Sequence, residues 1–359
     1  MNPETTHVTT QSPPVSAATA LPAAPPASND TPLPAAKRDL APLLLVPALI
    51  LFTLPLVGSF PTWVTLTIAG LAMGMMIFIM ASGLTLVFGL MDVLNFGHGA
   101  FVSVGAYAAT MVLIPMRDWL EIDSLALNLG VLGLAIALAM LATALLGWAF
   151  ERIIIAPVYG QHLKQILITM GGMIVAEQLI GVIWGAEQIP LPLPASLRGA
   201  LLLGDAAVEK YRLVAVVIGL VVFVAMFLVL NRTKIGLLIR AGVDNREMVE
   251  ALGYRIRRLF VAVFAAGSAL AGLGGVLWGL YKETLNAAMG GDMMVMIFIV
   301  VIIGGLGSVG GCFIGALLMA LVANYAGFLL PKFALVSNIA LMIAILLWRP
   351  AGLYSTLRR

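Results

Sequence analysis

Long apolar runs, separated by short polar or glycine-rich connections, follow one another along most of the chain. A run of about 20 apolar residues is long enough to cross a bilayer as a helix. The pattern therefore predicts an all-α polytopic membrane protein with eight to ten transmembrane crossings. The nine runs lie at about 40–58, 62–90, 99–115, 125–150, 164–185, 212–230, 259–281, 293–327 and 334–348.

Two places read as interrupted, glycine-rich helices: 89–99 and 304–311. The second lies inside the run 293–327, which would be about 52 Å long as one helix, against a hydrocarbon core of about 30 Å. That run must be broken, tilted or doubled, and the number of crossings in 293–348 stays open. The tetrapeptide Met-Ile-Phe-Ile precedes both interruptions, at 76–79 and 296–299, which suggests an internal two-fold repeat.

The interruptions combine glycine with polar side chains at membrane depth. Irregular backbone is tolerated there only where protein or a water-filled path covers it, and half-helix N-termini attract anionic groups. We therefore expect a substrate pathway at these sites. A packing interpretation stays open for Asn95 and His98, which could hydrogen-bond to backbone freed at the break. The candidate pathway residues are Asn95, His98, Asp92, Gly97, Gly307 and Ser308.

Two further features of the apolar runs have structural interpretations. Small residues recur every four positions in two series, which gives flat helix faces that pack closely in lipid. Packing within one subunit is favoured over a dimer seam. The two series are Gly267, Ala271, Gly275 and Gly279, and Gly307, Gly311 and Gly315.

The second feature is a pair of polar residues, Glu177 and Gln178, within the run 164–185. A structural hydrogen bond is the favoured explanation for them.

Composition supports a membrane location. The 359 residues are 61% hydrophobic and 10% charged, with a mean hydropathy of +1.06, whereas soluble proteins carry about 25% charged residues. The net charge of +3 does not indicate nucleic-acid binding. With a single cysteine, Cys312, and three histidines far apart in sequence, we expect no metal site.

The distribution of charge predicts the orientation. Segment 231–258 carries seven basic and three acidic residues and should be cytoplasmic. Residues 1–38 are rich in proline and alanine and read as a disordered cytoplasmic tail. The transmembrane domain then covers 39–350, with a basic cytoplasmic tail at 351–359. The N-terminus is predicted to lie inside.

Segment 231–258 is too polar to cross the membrane, and the regular spacing of its apolar residues is not that of an unstructured loop. The apolar residues between 243 and 252 give a short helix one apolar side, while charged residues face elsewhere. A short surface helix of this kind fits a groove in a cytoplasmic partner.

Three motifs, in the right order and separation along the chain, resemble the branched-chain amino-acid ABC transporter permease family of the LivH type. In chain order they are LNFGHGAF at 94–101, continuing to GAY at 105–107, RAGVDNREMVEALGY at 240–254, and GGLGSVGG at 304–311. The resemblance spans roughly 62–350. The family pattern usually has alanine at the position of Gly97 and commonly Ala-Ala near Val249-Glu250.

The resemblance implies a permease subunit of an ATP-driven importer in the bacterial inner membrane. Its partners would be a second homologous permease, two ATP-binding cassette subunits, a periplasmic solute-binding protein and the lipid bilayer. ATP and Mg would be bound by the partner ATPases, because the chain has no phosphate-binding loop of the type G-x-x-x-x-G-K-[ST]. A bulky residue at Gly253 should uncouple transport. The residues implied in coupling are Arg240, Asn245, Arg246, Glu250, Ala251 and Gly253.

Branched-chain or related amino acids are the implied substrates, with urea, short amides or aromatic acids as the alternative. A secondary transporter would need ionisable residues inside the spans, for which Asp92, His98 and Glu177 are the candidates. An intramembrane enzyme would use His98 with Asp92 as an acid/base pair, but no nucleophile accompanies them. We therefore expect a transport subunit without enzyme activity of its own.

Overall fold

The computed structural model describes residues 40–244 and 246–354. The predicted N-terminal tail, residues 355–359 of the predicted C-terminal tail and Asn245 lie outside the described residues. All structural statements below concern the described part of the chain.

The described chain is almost entirely helical, which confirms the predicted all-α polytopic fold class. Each apolar run corresponds to helix, and the longest run corresponds to two. The helices are α1 (Ala41–Val57), α2 (Phe60–Met91), α3 (His98–Leu113), α4 (Arg117–Leu120), α5 (Leu125–Phe150), α6 (His162–Trp184), α7 (Lys210–Arg232), α8 (Lys234–Asp244), α9 (Arg246–Ala251), α10 (Ile256–Lys282), α11 (Met289–Gly304), α12 (Val309–Leu329) and α13 (Ala334–Trp348).

Six of these helices are long and apolar enough to cross a membrane, namely α2, α5, α6, α7, α10 and α12; in α5 the helical stretch continues through a π-helical and a 3₁₀ turn to Val158. Four shorter apolar helices, α1, α3, α11 and α13, accompany them. A helix of 16 residues is about 24 Å long and is therefore too short to cross the hydrocarbon core. Both α3 and α11 have this length.

The longest apolar run is broken, as its length required. Helix α11 ends at Gly304, and Gly305 and Gly307 adopt φ values of 93° and 78°. Glycine takes such left-handed conformations without steric cost. Helix α12 then restarts at Ser308, whose hydroxyl accepts a hydrogen bond from the backbone N–H of Gly311 at 3.1 Å. This is an ordinary N-cap.

Helices α2 and α10 form the centre of the bundle. Helix α2 packs mainly against α12, α10 and α7, and α10 packs against α5, α2 and α3. These helices approach each other most closely where glycines face each other. A Cβ added at Gly83 would overlap the backbone of Gly267, and a Cβ added at Gly105 would overlap the backbone of Gly272. Close backbone approach is how helices associate in lipid, where hydrophobicity does not drive them together.

Both series of small residues point into the same subunit. In the first, Gly275 lies against the backbone of Val102. In the second, Gly311 lies against Gly304, and Gly315 approaches α11 near Val300. The predicted packing within one subunit is confirmed.

The tetrapeptide repeat does not mark equivalent positions. Ile79 lies deep within α2, which continues to Met91, whereas Ile299 is close to the end of α11 at Gly304. The internal two-fold repeat therefore stays a prediction.

Four short strands lie at one end of the bundle, which we call the hairpin end. Strands β1 (Ile189–Pro190) and β4 (Thr284–Leu285) pair antiparallel and join the segments that follow α6 and α10. Strands β2 (Ala200–Leu203) and β3 (Ala206–Glu209) form a hairpin just before α7. The opposite end carries α8 and α9, and we call it the α8–α9 end.

A bidentate ion pair also lies at the hairpin end. The Arg198 guanidinium donates to both carboxylate oxygens of Glu121 at 2.8 and 2.9 Å. This hydrogen bonding lowers the pKa of the Glu121 carboxyl. Both side chains are partly exposed, so the pair is a surface contact that joins two loops.

Candidate functional site

The first interruption brings the chain back into the bundle. Helix α2 ends at Met91, Asp92 adopts φ 50°, and α3 begins at His98. The ring nitrogen Nε2 of His98 lies 2.9 Å from the carbonyl oxygen of Met80, which is far from either end of α2. Helix α3 therefore starts beside the middle of α2, well inside the membrane-spanning bundle.

The start of α11 meets the start of α3. The backbone N–H of Gly290 donates to the hydroxyl of Ser103 at 2.9 Å, and Gly99 and Gly290 are in backbone contact. Two helices too short to cross the hydrocarbon core thus bring their N-termini together inside the bundle. Helix N-termini carry partial positive charge, and discontinuous transporter helices direct such ends at anionic substrate groups.

Asn95 is the most unusual polar residue of this region. It is fully buried, and neither its amide oxygen nor its amide nitrogen has a partner among the described residues. Such a group costs about 1–3 kcal/mol when it stays unpaired. Its neighbour Phe96 donates its backbone N–H to the Thr169 hydroxyl at 3.2 Å and packs its ring 4.6 Å from that of Phe298. Asn95 is thus held beside α6 and α11 with its hydrogen-bonding capacity unused.

The second interruption lies against the end of α2. A Cβ added at Gly89 would lie 2.7 Å from the Cα of Gly307. Ser308 caps α12, as described above. The two interruptions are therefore neighbours in space, although more than 200 residues separate them along the chain.

The structure does not gather all predicted pathway residues into one cluster. Asn95, Gly97 and His98 lie together, but Asp92 is exposed at the α8–α9 end, where its carboxylate lies 3.8 Å from His162 Nε2. The acid/base pair considered for His98 and Asp92 is not formed, because His98 contacts Met80 instead.

The packing interpretation expected Asn95 and His98 to bond to backbone freed at the break, and neither contact is formed in the described part of the chain. His98 contacts a backbone carbonyl in the middle of α2 instead. Asn95 makes no such bond. Gly97 has little room, since an added Cβ would lie 3.0–3.2 Å from Phe150, Asn95 and Thr169. The alanine usual in the family would press on these neighbours here.

Sequence reasoning missed three residues that shape this region. The hydroxyl of Ser103 accepts a hydrogen bond from the backbone of Gly290, in the first turn of α11. The hydroxyl of Thr169 accepts one from the backbone of Phe96. Gln165, one turn earlier in α6, is buried and donates to the carbonyl of Val158 at 3.0 Å. The signal was present, because two polar residues four positions apart lie on one side of an apolar helix.

The segment implied in coupling forms two short helices, α8 and α9, between α7 and α10. Helix α9 ends in a Schellman motif, in which Tyr254 N–H bonds to Val249 C=O at 3.3 Å and Gly253 N–H bonds to Glu250 C=O at 2.9 Å. Gly253 has φ 87°. Asn245 and the side chains of Arg240 and Arg246 lie outside the described part of the chain.

The apolar side chains of α9 divide between two directions. Val249 is buried against the subunit, whereas Met248 and Leu252, 60% and 70% exposed, face outward together with Tyr254. Ala251 is exposed as well. Met248, Leu252 and Tyr254 form an apolar surface at the α8–α9 end.

A cleft of about 590 Å³ opens beside this surface. Half of its lining residues are arginines, and the cleft lies between the end of α5 and the start of α10. The lining residues are Trp148, Arg152, Glu250, Arg255, Ile256, Arg257, Arg258 and Val261.

Residues 66–346 match the family model described as branched-chain amino acid transport system, permease component. The chain belongs to this family. The matched range begins in α2 and ends in α13, so it includes both interruptions and the segment α8–α9. The N-terminal tail and α1 precede it.

Curated relatives agree with the family. The high-affinity branched-chain amino acid transport system permease protein BraD of Pseudomonas aeruginosa is 27% identical over 79% of this permease and 93% of its own length. LivH of Escherichia coli is 26% identical over 79% of this chain and 92% of its own, and the probable LivH of Methanocaldococcus jannaschii 28% over 77% and 87%. No solved structure matches this permease significantly.

Proposed function

We propose that this chain is the permease subunit of an ATP-driven importer that translocates branched-chain or related amino acids delivered by a solute-binding protein. The observation that carries the proposal is the family match from α2 to α13, which includes the segment α8–α9. The names of the relatives favour branched-chain substrates over urea, short amides or aromatic acids.

The energy would come from partner subunits. The proposed assembly contains a second homologous permease, two ATP-binding cassette subunits that hold ATP and Mg, and a periplasmic solute-binding protein. The chain would lie in the bacterial inner membrane with its N-terminus and the α8–α9 end in the cytoplasm. The basic character of 231–258 supports this orientation.

Helix α9 is the proposed contact with an ATPase. Met248 and Leu252 face outward and would fill an apolar groove, with Glu250 among the polar contacts. Arg240, Asn245 and Arg246 complete the proposed coupling set. Closure of the ATPases would push α9. Helices α7 and α10, which flank the segment α8–α9, would then tilt, and this would open one side of the pathway and close the other.

The paired N-termini of α3 and α11 are the proposed recognition point along the pathway. Their partial positive charge suits the carboxylate that all amino acids share. The amide of Asn95, fully buried and unpartnered among the described groups, would then gain a hydrogen-bond partner as the solute passes. Gly307 and Ser308, at the second interruption, would lie on the α8–α9 side of this path.

The test is ATP-driven leucine uptake by the reconstituted assembly, with Gly253 as the probe of coupling. A Cβ at Gly253 meets nothing within 4 Å, so a substitution acts through the left-handed backbone and not through a clash. Gly253→Val should reduce leucine transported per ATP roughly tenfold, since a left-handed conformation costs a β-branched residue about 1–2 kcal/mol or more.

Gly253→Asn is the matched control, because asparagine tolerates the left-handed region. It should keep most of the uptake, and both variants should assemble normally in size-exclusion chromatography. Normal uptake by Gly253→Val would reject the coupling role of α9. Uptake by the unmodified assembly that does not depend on ATP would reject the function itself.

A further inference from the structure

Helix α6 is the span that its own subunit covers least. Only 11% of its most apolar stretch is buried, although the stretch is long enough to cross the membrane. Large side chains along it are exposed, including Leu163, Ile174 and Val182. Something outside the described chain must therefore surround most of this helix.

Two polar side chains lie within this exposed span. Glu177 is half-buried and Gln178 is exposed, and neither has a hydrogen-bond or ion-pair partner among the described residues. The structural hydrogen bond expected for them is thus not formed inside the described part of the subunit. Helix α6 ends at Trp184, a residue typical of the membrane interface. At 1.5 Å per residue, Glu177 lies roughly 10 Å below that level.

The polar residues share one side of α6. With 100° between successive residues, Glu177, Gln178, Gly181 and Gly171 fall within about a third of the circumference, beside exposed apolar side chains such as Ile174 and Leu167. A Cβ added at either glycine would meet nothing within 4 Å. We call these four residues the polar face of α6. The opposite side carries Thr169, Gln165 and Ile180, which are buried against the subunit.

Lipid is a poor neighbour for this face. A carboxylate and an amide in contact with acyl chains have no hydrogen-bond partners, which makes them costly unless protein or water covers them. Glycines with open space beside them allow another helix to approach closely. The polar face therefore has the features of a protein contact.

Helix α7 provides the contrast. It is also long and mostly exposed, but it has no ionisable residue between Arg212 and Arg232, and the space beside its Gly219 is filled by Met75 of the same subunit. The exposed residues of its apolar stretch 213–230, among them Val217 and Val221, are all apolar. This surface is suited to lipid, which shows that exposure alone does not indicate a partner.

We propose that the polar face of α6 binds the second permease subunit of the assembly, and that Glu177 and Gln178 lie in the seam between the two subunits. The inference rests on the proposed function, which requires a pair of permeases. The opposite side of α6 holds Phe96, next to Asn95, through Thr169. One helix thus connects the seam with the interrupted helix α3.

The test is photo-crosslinking in native membranes with the full assembly. A benzophenone amino acid replaces Gln178 in one variant and Val221 of α7 in the other, and mass spectrometry identifies the products. We expect crosslinks from position 178 to the second permease and from position 221 to lipid. Lipid products alone from position 178, in an assembly from which the second permease still co-purifies, would overturn the inference. Loss of the second permease from the unmodified assembly would instead contradict the proposed function.

A second variant tests the same face by size. Gly181→Trp should lower the amount of co-purified second permease roughly tenfold, which corresponds to about 1.4 kcal/mol. Gly130→Trp on α5 is the matched control, because a Cβ there also meets nothing within 4 Å. Equal recovery of the second permease with both variants would place the seam elsewhere.

Discussion

Helices α2 and α7 are both strongly apolar, yet they occupy opposite environments. In α2, 78% of the most apolar stretch is buried, whereas in α7, which is the more apolar of the two, 17% is buried. Apolar character thus reports that a helix is in the membrane, but not whether protein or lipid surrounds it. In lipid the hydrophobic effect does not distinguish the two neighbours.

What distinguishes α2 is close backbone contact at glycine. Gly70 and Gly74 lie against α12, and Gly83 lies against α10. Helix α7 has one glycine within its apolar stretch, Gly219, and that glycine packs on Met75 of α2. Glycines whose Cβ position is occupied by another backbone therefore mark the interior of this permease.

The largest expected effect comes from filling such a contact. Gly105→Leu would force α3 away from Gly272 of α10 and should destabilise the subunit by about 3 kcal/mol, at the upper end for overpacking. Thermal unfolding in detergent measures this loss. Gly133→Leu on α5, where a Cβ meets nothing within 4 Å, should leave the unfolding temperature nearly unchanged. Similar losses in both variants would refute the distinction.

A smaller effect is expected from the two buried asparagines. Neither amide atom of Asn95 has a partner among the described residues, whereas in Asn128 only the amide oxygen lacks one and the amide nitrogen donates to the Ser196 hydroxyl at 2.9 Å. Asn95→Leu should raise the free energy of unfolding by about 1 kcal/mol while it lowers leucine uptake, because removing an unpaired buried group stabilises. Asn128→Leu should lower the free energy of unfolding by a similar amount. A loss of stability in Asn95→Leu would show that Asn95 is a structural hydrogen-bonding residue.

The smallest effect belongs to the surface pair of Arg198 and Glu121. Because this pairing lowers the pKa of Glu121 in the folded state, its contribution is present above the unfolded pKa of about 4.3 and is lost as pH falls through the folded value. The unfolding temperatures of the unmodified chain and of Glu121→Gln should therefore differ slightly at neutral pH and converge in strong acid. A difference that grows in acid would contradict this sign.

Much of the fold could be predicted from the sequence because span lengths follow from the bilayer. The run 125–150 coincides with α5, and the break in 293–327 followed from its excessive length. Burial could not be predicted this way, since of α2 and α7 it is the more apolar helix, α7, that is the more exposed. Glycine spacing predicted packing within the subunit but not which helices meet.

The candidate site was predicted only in part. The interruption containing Asn95 and His98 could be located, because glycine and polar residues cluster there. The contact between the starts of α3 and α11 could not, since it joins segments almost 200 residues apart through Ser103 and Gly290. Asp92 was grouped with His98 because of sequence proximity, whereas the chain reverses direction between them.

Purification of this chain from its native membrane tests whether it is one permease of an ATP-driven pair. The tagged chain would be solubilised gently and its bound proteins identified by mass spectrometry. We expect stoichiometric ATP-binding subunits together with a second permease. Recovery of the chain alone or only with itself, under conditions that preserve a control ABC complex, would contradict it.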